Sequence, residues 1–141
     1  MTTLDPEEAK RRFAEARVAR MTTVGGDARP HVVPIVFALG DDTVYSIVDP
    51  KPKRSPQLKR LANIAANPWV SLLVDHYEED WPSLWWVRAD GTADVEEDGP
   101  RRDRALELLT AKYAQYREWT TPFGPAVVVT VDRWSSWAFS E

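Results

Sequence analysis

The sequence VARMTTVGGDARPHVVPIVFAL, residues 18–39, decides the fold, because two apolar runs flank a Gly25-Gly26-Asp27 turn. Residues 18–24 are predicted to form one strand. Residues 31–39 are predicted to form a second, which is almost wholly apolar and so should be buried on both faces. Pro34 within this run indicates a sheet edge or a bulge, since proline cannot donate to a ladder. A glycine-rich turn between two strands predicts an antiparallel hairpin.

The chain on either side of this hairpin adds short strands and three helices. Strands are predicted over residues 43–48, 69–75, 84–95 and 126–131, with a further one over 134–139 after a break at Asp132-Arg133. Helices are predicted to begin at the Asp5 cap and to cover residues 56–66 and 100–119. Six or seven antiparallel strands tend to close on themselves, which removes exposed edges. We therefore expect one mainly β domain over residues 1–141, a small barrel with helices outside it.

Positive charge is concentrated in residues 49–68, DPKPKRSPQLKRLANIAANP, although the chain as a whole is acidic. Its prolines favour a loop, and Ser55-Pro56 has the pattern of a helix start. Cations and the free N–H groups of a helix N-terminus both favour a bound anion, so the stretch is predicted to hold a phosphate. The alternative is the solvated face of a short helix. The five cations are Lys51, Lys53, Arg54, Lys59 and Arg60.

Composition excludes several classes of function. A net charge of −4 argues against general nucleic-acid binding. The sequence has no cysteine, which excludes disulfides, thiolate catalysis and cysteine-based metal sites. No apolar run reaches membrane-spanning length and the N-terminus lacks a signal-peptide pattern, so a cytoplasmic protein is expected. Seven tryptophans indicate flat ligand surfaces or a sizeable interface, and we expect a homodimer.

The sequence offers no obvious catalytic constellation. His31 and His76 are the only histidines, and neither has a partner at metal-ligand spacing, so no metal site is expected. A protein without catalytic side chains can still catalyse redox chemistry if a cofactor supplies it. Trp81, in an acidic loop beside Asp80 and Pro82, is favoured as a ligand contact. Trp85 and Trp86 should point to opposite faces of their strand.

The chain resembles the pyridoxamine 5′-phosphate oxidase-like flavin and deazaflavin oxidoreductases, and within them the small actinobacterial branch regarded as coenzyme F420-dependent. Three stretches carry the resemblance. They are VARMTTV with GDARPHVVP (residues 18–24 and 26–34), KRLANIAANP with VSLLVD (59–68 and 70–75), and Asp80-Trp81 followed by VRADGTA (87–93). The match extends over nearly the whole chain, and the middle block is fairly specific.

The resemblance implies a split β-barrel homodimer with two cofactor sites at the subunit interface. Arg60 stands where the family has its phosphate-binding lysine, and Asn63 matches the family asparagine. Trp81 matches a tryptophan near the cofactor, and the run containing Pro34 matches the strand beneath the cofactor ring. Lys51-Pro52-Lys53-Arg54 departs from the family as an insertion-like segment. Either this segment or Lys59-Arg60 could therefore hold the phosphate; we assign Arg60 with Asn63 to the phosphate, and residues 51–54 to the tail or rim of the cofactor.

The function implied is hydride transfer between a reduced deazaflavin and a small substrate. F420 is favoured over FMN because the basic residues are spread along the chain, as a long polyanionic tail would require. FMN in the same fold is the first alternative. A non-catalytic cofactor-binding protein is the second, since no proton donor is evident. A haem-binding barrel is the third, with His31 or His76 as the axial ligand.

Overall fold

The computed structural model describes residues 1–49, 57–119 and 123–140, which form a sheet with helices around it. The helices are α1 (Pro6–Glu15), α2 (Gln57–Ala66), α3 (Pro100–Lys112) and α4 (Ala114–Glu118), with a 3₁₀ turn over Trp81–Ser83. The strands are β1 (Ala19–Val24), β2 (Pro30–Ile35), β3 (Ala38–Gly40), β4 (Thr43–Ile47), β5 (Trp69–His76), β6 (Trp85–Glu96) and β7 (Ala126–Ala138). None of these helices is long and apolar enough to cross a membrane.

The seven strands form one sheet in the order β2-β1-β5-β6-β7-β4-β3, and all neighbours are antiparallel. β2 and β3 lie at the two edges of this sheet, yet only Val36 and Phe37 separate them in the chain. The sheet must therefore curl until its two edges belong to a single extended run. This is the split barrel expected from the sequence.

The run that joins the two edges keeps its alternation throughout. Ile35 and Phe37 are buried in the barrel interior, where Val33 and Leu39 pack against them. On the other side, Val36 and Ala38 pack with α3 in a second core, whereas Val32 is 60% exposed and Pro34 is exposed. The strand predicted over 31–39 is thus two strands, because the run changes partner from β1 to β4. The prediction that both faces of this run are buried was wrong for β2. The edge position predicted from Pro34 is confirmed.

Two other predicted boundaries were wrong. The strands expected over 126–131 and 134–139 are one strand, because a bulge opposite Asp90 and Gly91 absorbs the break in the pattern. Gly91 permits the close approach, since a β-carbon there would lie 2.1 Å from the carbonyl oxygen of Thr130. The helix expected over 100–119 is interrupted at Tyr113, whose backbone is extended (φ −121°, ψ 115°).

Two apolar cores hold the layers together. Inside the barrel, the ring of Phe13 from α1 lies 4.9 Å from that of Phe37 and 5.1 Å from that of Trp134. Outside it, Leu109 of α3 packs in a second core with Val128 of β7. Helix α2 contacts β1 and β6, and this contact positions the residues of the predicted anion site.

Candidate functional site

Asn63 attaches α2 to the β1–β2 hairpin. Its side chain is only 2% exposed, and its Nδ2 donates to the hydroxyl oxygen of Thr23 at 3.0 Å. Its Oδ1 reaches Gly25, where an added β-carbon would stand 2.2 Å from that oxygen. The glycine of the turn is therefore required by the asparagine of the helix. Asn63 holds the helix against the barrel, and its predicted contact with a phosphate stays a prediction.

Arg60 is a buried cation one helical turn before Ile64, which packs into the barrel core. The residue is 5% exposed, and its buried Nε makes no hydrogen bond to any residue of the described ranges. Burial lowers the pKa of the guanidinium, and the charges of Asp49 and Tyr116 oppose this effect. A buried guanidinium with an unused donor suits an anionic ligand, because leaving such a donor unpaired is costly.

Asp49 and Tyr116 act electrostatically on Arg60, and sequence analysis assigned no role to either. Burial raises the pKa of the Tyr116 hydroxyl, and the carboxylate of Asp49 raises it further. The only available signal for Asp49 was its place as the one carboxylate at the head of the basic stretch. Tyr116 showed only helical periodicity, which indicates core packing and cannot reveal a polar neighbour.

The other predicted cations fall into two groups. Lys59 is half exposed, and its Nζ lies 3.8 Å from a carboxylate oxygen of Asp27 in the hairpin turn. At that distance and exposure the pair stabilises the fold little, so Lys59 is available to a ligand. Lys51, Lys53 and Arg54 lie outside the described residues, as do the proposed cap Ser55 and Pro56. Their assignment to a phosphate, tail or rim stays a prediction.

Trp81 and Pro34 are not brought to Arg60 within one chain. Trp81 is 62% exposed, in the 3₁₀ turn that follows the end of β5. Strand β5, about 23 Å long, separates the end of α2 from the turn that carries Trp81. Pro34 lies exposed on the outer face of β2, opposite Arg20. A contact of Trp81 and Pro34 with the ligand of Arg60 stays a prediction.

The two histidines lie far apart. His31 faces Thr23 across the β1–β2 ladder, near α2, and its Nδ1 is buried without a hydrogen-bond partner in the part of the chain that is described. His76 ends β5 on the opposite side, with its Nε2 2.7 Å from a carboxylate oxygen of Glu78. The two side chains are therefore too far apart to bind opposite faces of one metal ion. No cluster of three or more acidic or histidine ligands occurs in residues 1–49, 57–119 and 123–140.

Polar contacts of Tyr113 and Lys112 hold the segment that joins the two sheet edges. The Tyr113 hydroxyl accepts from the Phe37 amide at 3.3 Å and lies 2.9 Å from the carbonyl oxygen of Arg17, to which it donates. Lys112 donates to the Ala16 carbonyl at 2.7 Å, and its Nζ lies 4.0 Å from the centre of the Phe37 ring. Burial, and then the neighbouring Arg17, lowers the pKa of Lys112 to about 8.

The outer face of strands β2, β1, β5 and β6 carries a shallow cavity of about 590 Å³. Its lining mixes apolar, aromatic and charged side chains, among them Val32, Tyr77, Trp86, Arg20 and Asp75. Arg88, at its rim, pairs with Asp90 at 3.0 Å. A face with exposed apolar side chains and charges of both signs can suit a protein interface.

Comparison with known proteins places this geometry in context. The family model for pyridoxamine 5′-phosphate oxidase matches residues 5–138. An FAD-binding protein from Mesorhizobium loti has 24% identity and a TM-score of 0.71, with 96% of this chain and 95% of that chain covered. An FAD-binding protein from Mycobacterium smegmatis has 21% identity and a TM-score of 0.64, with 98% and 99% covered.

A conserved protein of unknown function from Corynebacterium diphtheriae is as similar to this chain as the Mesorhizobium loti protein is. It has 24% identity and a TM-score of 0.71, with 98% of this chain and 97% of that chain covered. Likenesses at these identities show the fold alone. No curated protein matches the chain.

Proposed function

The chain belongs to the pyridoxamine 5′-phosphate oxidase family, and on that basis we propose that it is an oxidoreductase that binds a flavin or deazaflavin cofactor. The observation that carries the proposal is the buried Arg60 on α2, whose Nε is unpaired among the described residues. The FAD-binding proteins of the same fold support it. The proposed reaction is hydride transfer between the reduced cofactor and a small substrate.

The residues around α2 fit a phosphate-bearing cofactor. Arg60 would supply a desolvated charge and Lys59 a solvated one, while Asn63 keeps the helix and therefore Arg60 in place. The basic segment containing Lys51, Lys53 and Arg54 would add charge at the rim. When bound, an isoalloxazine or deazaflavin ring supplies the redox chemistry. The protein then has to bind the ring, orient it and exclude water.

The choice between F420 and FMN depends on how much unpaired positive charge the chain offers. Many cations outside the basic stretch are already paired with carboxylates: Lys10, Arg11, Arg12, Arg88, Arg101 and Arg104. Paired cations attract a polyanionic tail weakly, so the spread of basic residues supports F420 less than the sequence alone suggested. F420 and FMN are therefore both candidates for the bound cofactor.

The testing experiment is titration of the apoprotein with FMN and with F420, followed by visible spectra of each complex. Binding of either cofactor in the micromolar range or below supports the proposal. A screen of small reducible substrates then separates an oxidoreductase from a cofactor-binding protein without activity. Absence of binding by FMN, FAD and F420 at low salt would contradict the proposal. A haem spectrum from the purified protein would favour the haem alternative instead, with His31 or His76 acting alone.

We also propose that the active form is a homodimer built on the outer face of β2, β1, β5 and β6. This face exposes Val32 and Tyr77 and carries Arg20 near Asp75, so a two-fold copy could pair opposite charges across it. A second copy also offers a way for Trp81 to approach a cofactor held by the Arg60 of the first. The predicted interface site is thus consistent with the separation of Trp81 from Arg60.

A further inference from the structure

Four aromatic side chains, Tyr113, Tyr116, Trp119 and Phe123, form a cluster where α3 and α4 meet the end of β4. We call them the aromatic cluster. Tyr116 is at its centre, with ring centroids 6.0 Å from Tyr113, 5.0 Å from Trp119 and 5.2 Å from Phe123, all in edge-on arrangements. Trp119 and Phe123 lie more nearly parallel, 5.4 Å apart with an angle of 32° between their planes.

Trp119 is the exposed member of the aromatic cluster. Tyr113 and Tyr116 are buried, whereas Trp119 keeps 40% of its surface exposed. Phe123 lies against the indole at a tilt and Tyr116 is edge-on to it, and the indole still keeps this exposed fraction. A partly exposed indole supported by other rings is a suitable surface for stacking a planar ligand group.

The aromatic cluster adjoins the proposed phosphate site. Tyr116 shares the second core with Ile47 at the end of β4, two residues before Asp49, whose carboxylate raises the pKa of the Tyr116 hydroxyl after burial does. The chain beside Phe123 is also fixed to the end of β4, because the Gly124 amide donates to the Val48 carbonyl at 3.0 Å. Tyr116 therefore contacts the partly exposed indole and acts electrostatically on the buried guanidinium of Arg60.

From this arrangement we propose that Trp119 is a stacking platform for a second flat ring of the cofactor, and that this ring is the adenine of FAD. The inference rests on the proposed function and refines it. FAD joins its isoalloxazine ring to adenosine through two phosphates, so an anion site beside an aromatic surface matches its chemistry. FMN ends at its phosphate and F420 carries carboxylates there. Neither has a ring to place on Trp119.

The test compares the affinities of the apoprotein for FAD, FMN and ADP by calorimetry. The parent protein should bind FAD about tenfold or more tightly than FMN, and ADP should compete with FAD. Trp119→Ala should remove most of this preference and leave FMN affinity within about twofold, because only the adenine contact is lost. Trp69→Ala, which truncates another exposed tryptophan, should change neither affinity.

Trp119→Leu is the second variant, since it keeps apolar packing against Phe123 and guards against loss of folding. Its FAD preference should fall as in Trp119→Ala while circular dichroism shows the parent's melting behaviour. Equal affinities of the parent for FAD and FMN, or equal losses of both in the Trp119 variants, would overturn the inference and leave the proposed function standing. If the parent binds no flavin and no deazaflavin, the proposed function fails, and this inference fails with it.

Discussion

Asn63 and Gly25 occupy complementary positions: the side-chain oxygen of the helix residue fills the space that a β-carbon on the turn residue would need. The separation between that oxygen and an ideal β-carbon at position 25 is 2.2 Å. Real β-carbons do not approach oxygen so closely, so either partner must move if the glycine is replaced. The contact joins a hairpin turn to the helix that holds the proposed anion site.

Gly25→Ala should destabilise the protein by about 1–3 kcal/mol, the usual cost of overpacking a buried contact. The same substitution should cost less in an Asn63→Ala background, because the clashing oxygen is gone. Urea denaturation of the two single variants and the double variant measures the coupling. Gly26→Ala is the matched control, since an added β-carbon there meets nothing within 4 Å. Additive losses would show that the contact does not restrict residue 25.

Arg60→Met should weaken binding of a phosphate-bearing cofactor by about 1.5–3 kcal/mol, the range for a hydrogen bond to a charged group. Because Arg60 is buried and the charge of Asp49 acts on it, circular dichroism must first show that the variant is folded. Calorimetry with FMN and with riboflavin checks this, and riboflavin affinity should not change because it has no phosphate. Arg60→Glu is a less informative variant than a charge reversal at an exposed site, since a buried carboxylate would itself destabilise the protein.

The basic rim should behave differently from Arg60. Lys53→Glu with Arg54→Glu should weaken cofactor binding at low salt, and added salt should erase most of that difference if these cations act through solvent. Lys59→Met should show the same salt sensitivity. Binding titrations at two ionic strengths make the comparison. Full parental affinity in these variants and in Arg60→Met would mean that the stretch is only a solvated face.

Trp81→Ala should weaken cofactor binding by about 1–3 kcal/mol without changing the melting temperature. Thermal stability should be unaffected because the side chain is 62% exposed within the protomer. Mixing Trp81→Ala with Arg60→Met protomers provides a sharper experiment. If Trp81 acts across a dimer interface, the mixed dimer contains one site with both wild-type residues, and about half of the dimers should recover tight binding at that site.

Val32→Arg should convert a homodimer to monomers, because it places a bulky charge on the exposed apolar side of β2. Light scattering at micromolar concentration is the measurement. Ala111→Arg, on the exposed side of α3, should leave the assembly unchanged. A parent protein that is already monomeric at that concentration would refute the proposed interface.

Lys112 should make the stability of the fold depend on pH. Its pKa is lowered from 10.5 to about 8 in the folded protein, so the unfolded chain binds more protons between these values. Stability should therefore rise as pH increases from about 8 towards 10.5. Below the folded pKa both states bind the proton, so Lys112 should add no pH dependence there. Denaturation of the parent and of Lys112→Met between pH 7.5 and 9.5 tests this. The variant should show a flatter dependence, and equal slopes would contradict the assignment.

Sequence patterns were sufficient for the strands and the barrel because alternation records which side of a strand meets the core. They failed where long-range pairing decides the outcome. The run 31–39 alternates without interruption, so nothing local marks the point where its partner changes from β1 to β4. The Asp132-Arg133 break likewise indicated two separate strands, although β7 continues through it with a bulge at Asp132.

The candidate site was only partly accessible to sequence reasoning. The cationic stretch and its helix stand out by charge, but charge alone does not show that Arg60 is buried while Lys59 is half exposed. Tyr116 and Trp119 lie far beyond Arg60 in the chain, and the fold brings Tyr116 into the core that contains Ile47 of β4. Helical periodicity identifies such residues as apolar and leaves their polar neighbours unspecified.

The crossing at Val36 and Phe37 limits how the length of this chain can change during evolution. One residue deleted between β2 and β3 would reverse the alternation beyond the deletion, turning Leu39 out of the barrel and Ala38 into it. One residue inserted there would do the same. We therefore expect natural variants to add or remove residues in the turn at 26–29 far more readily than at 36–37, where only changes in pairs would keep every side chain on its own side.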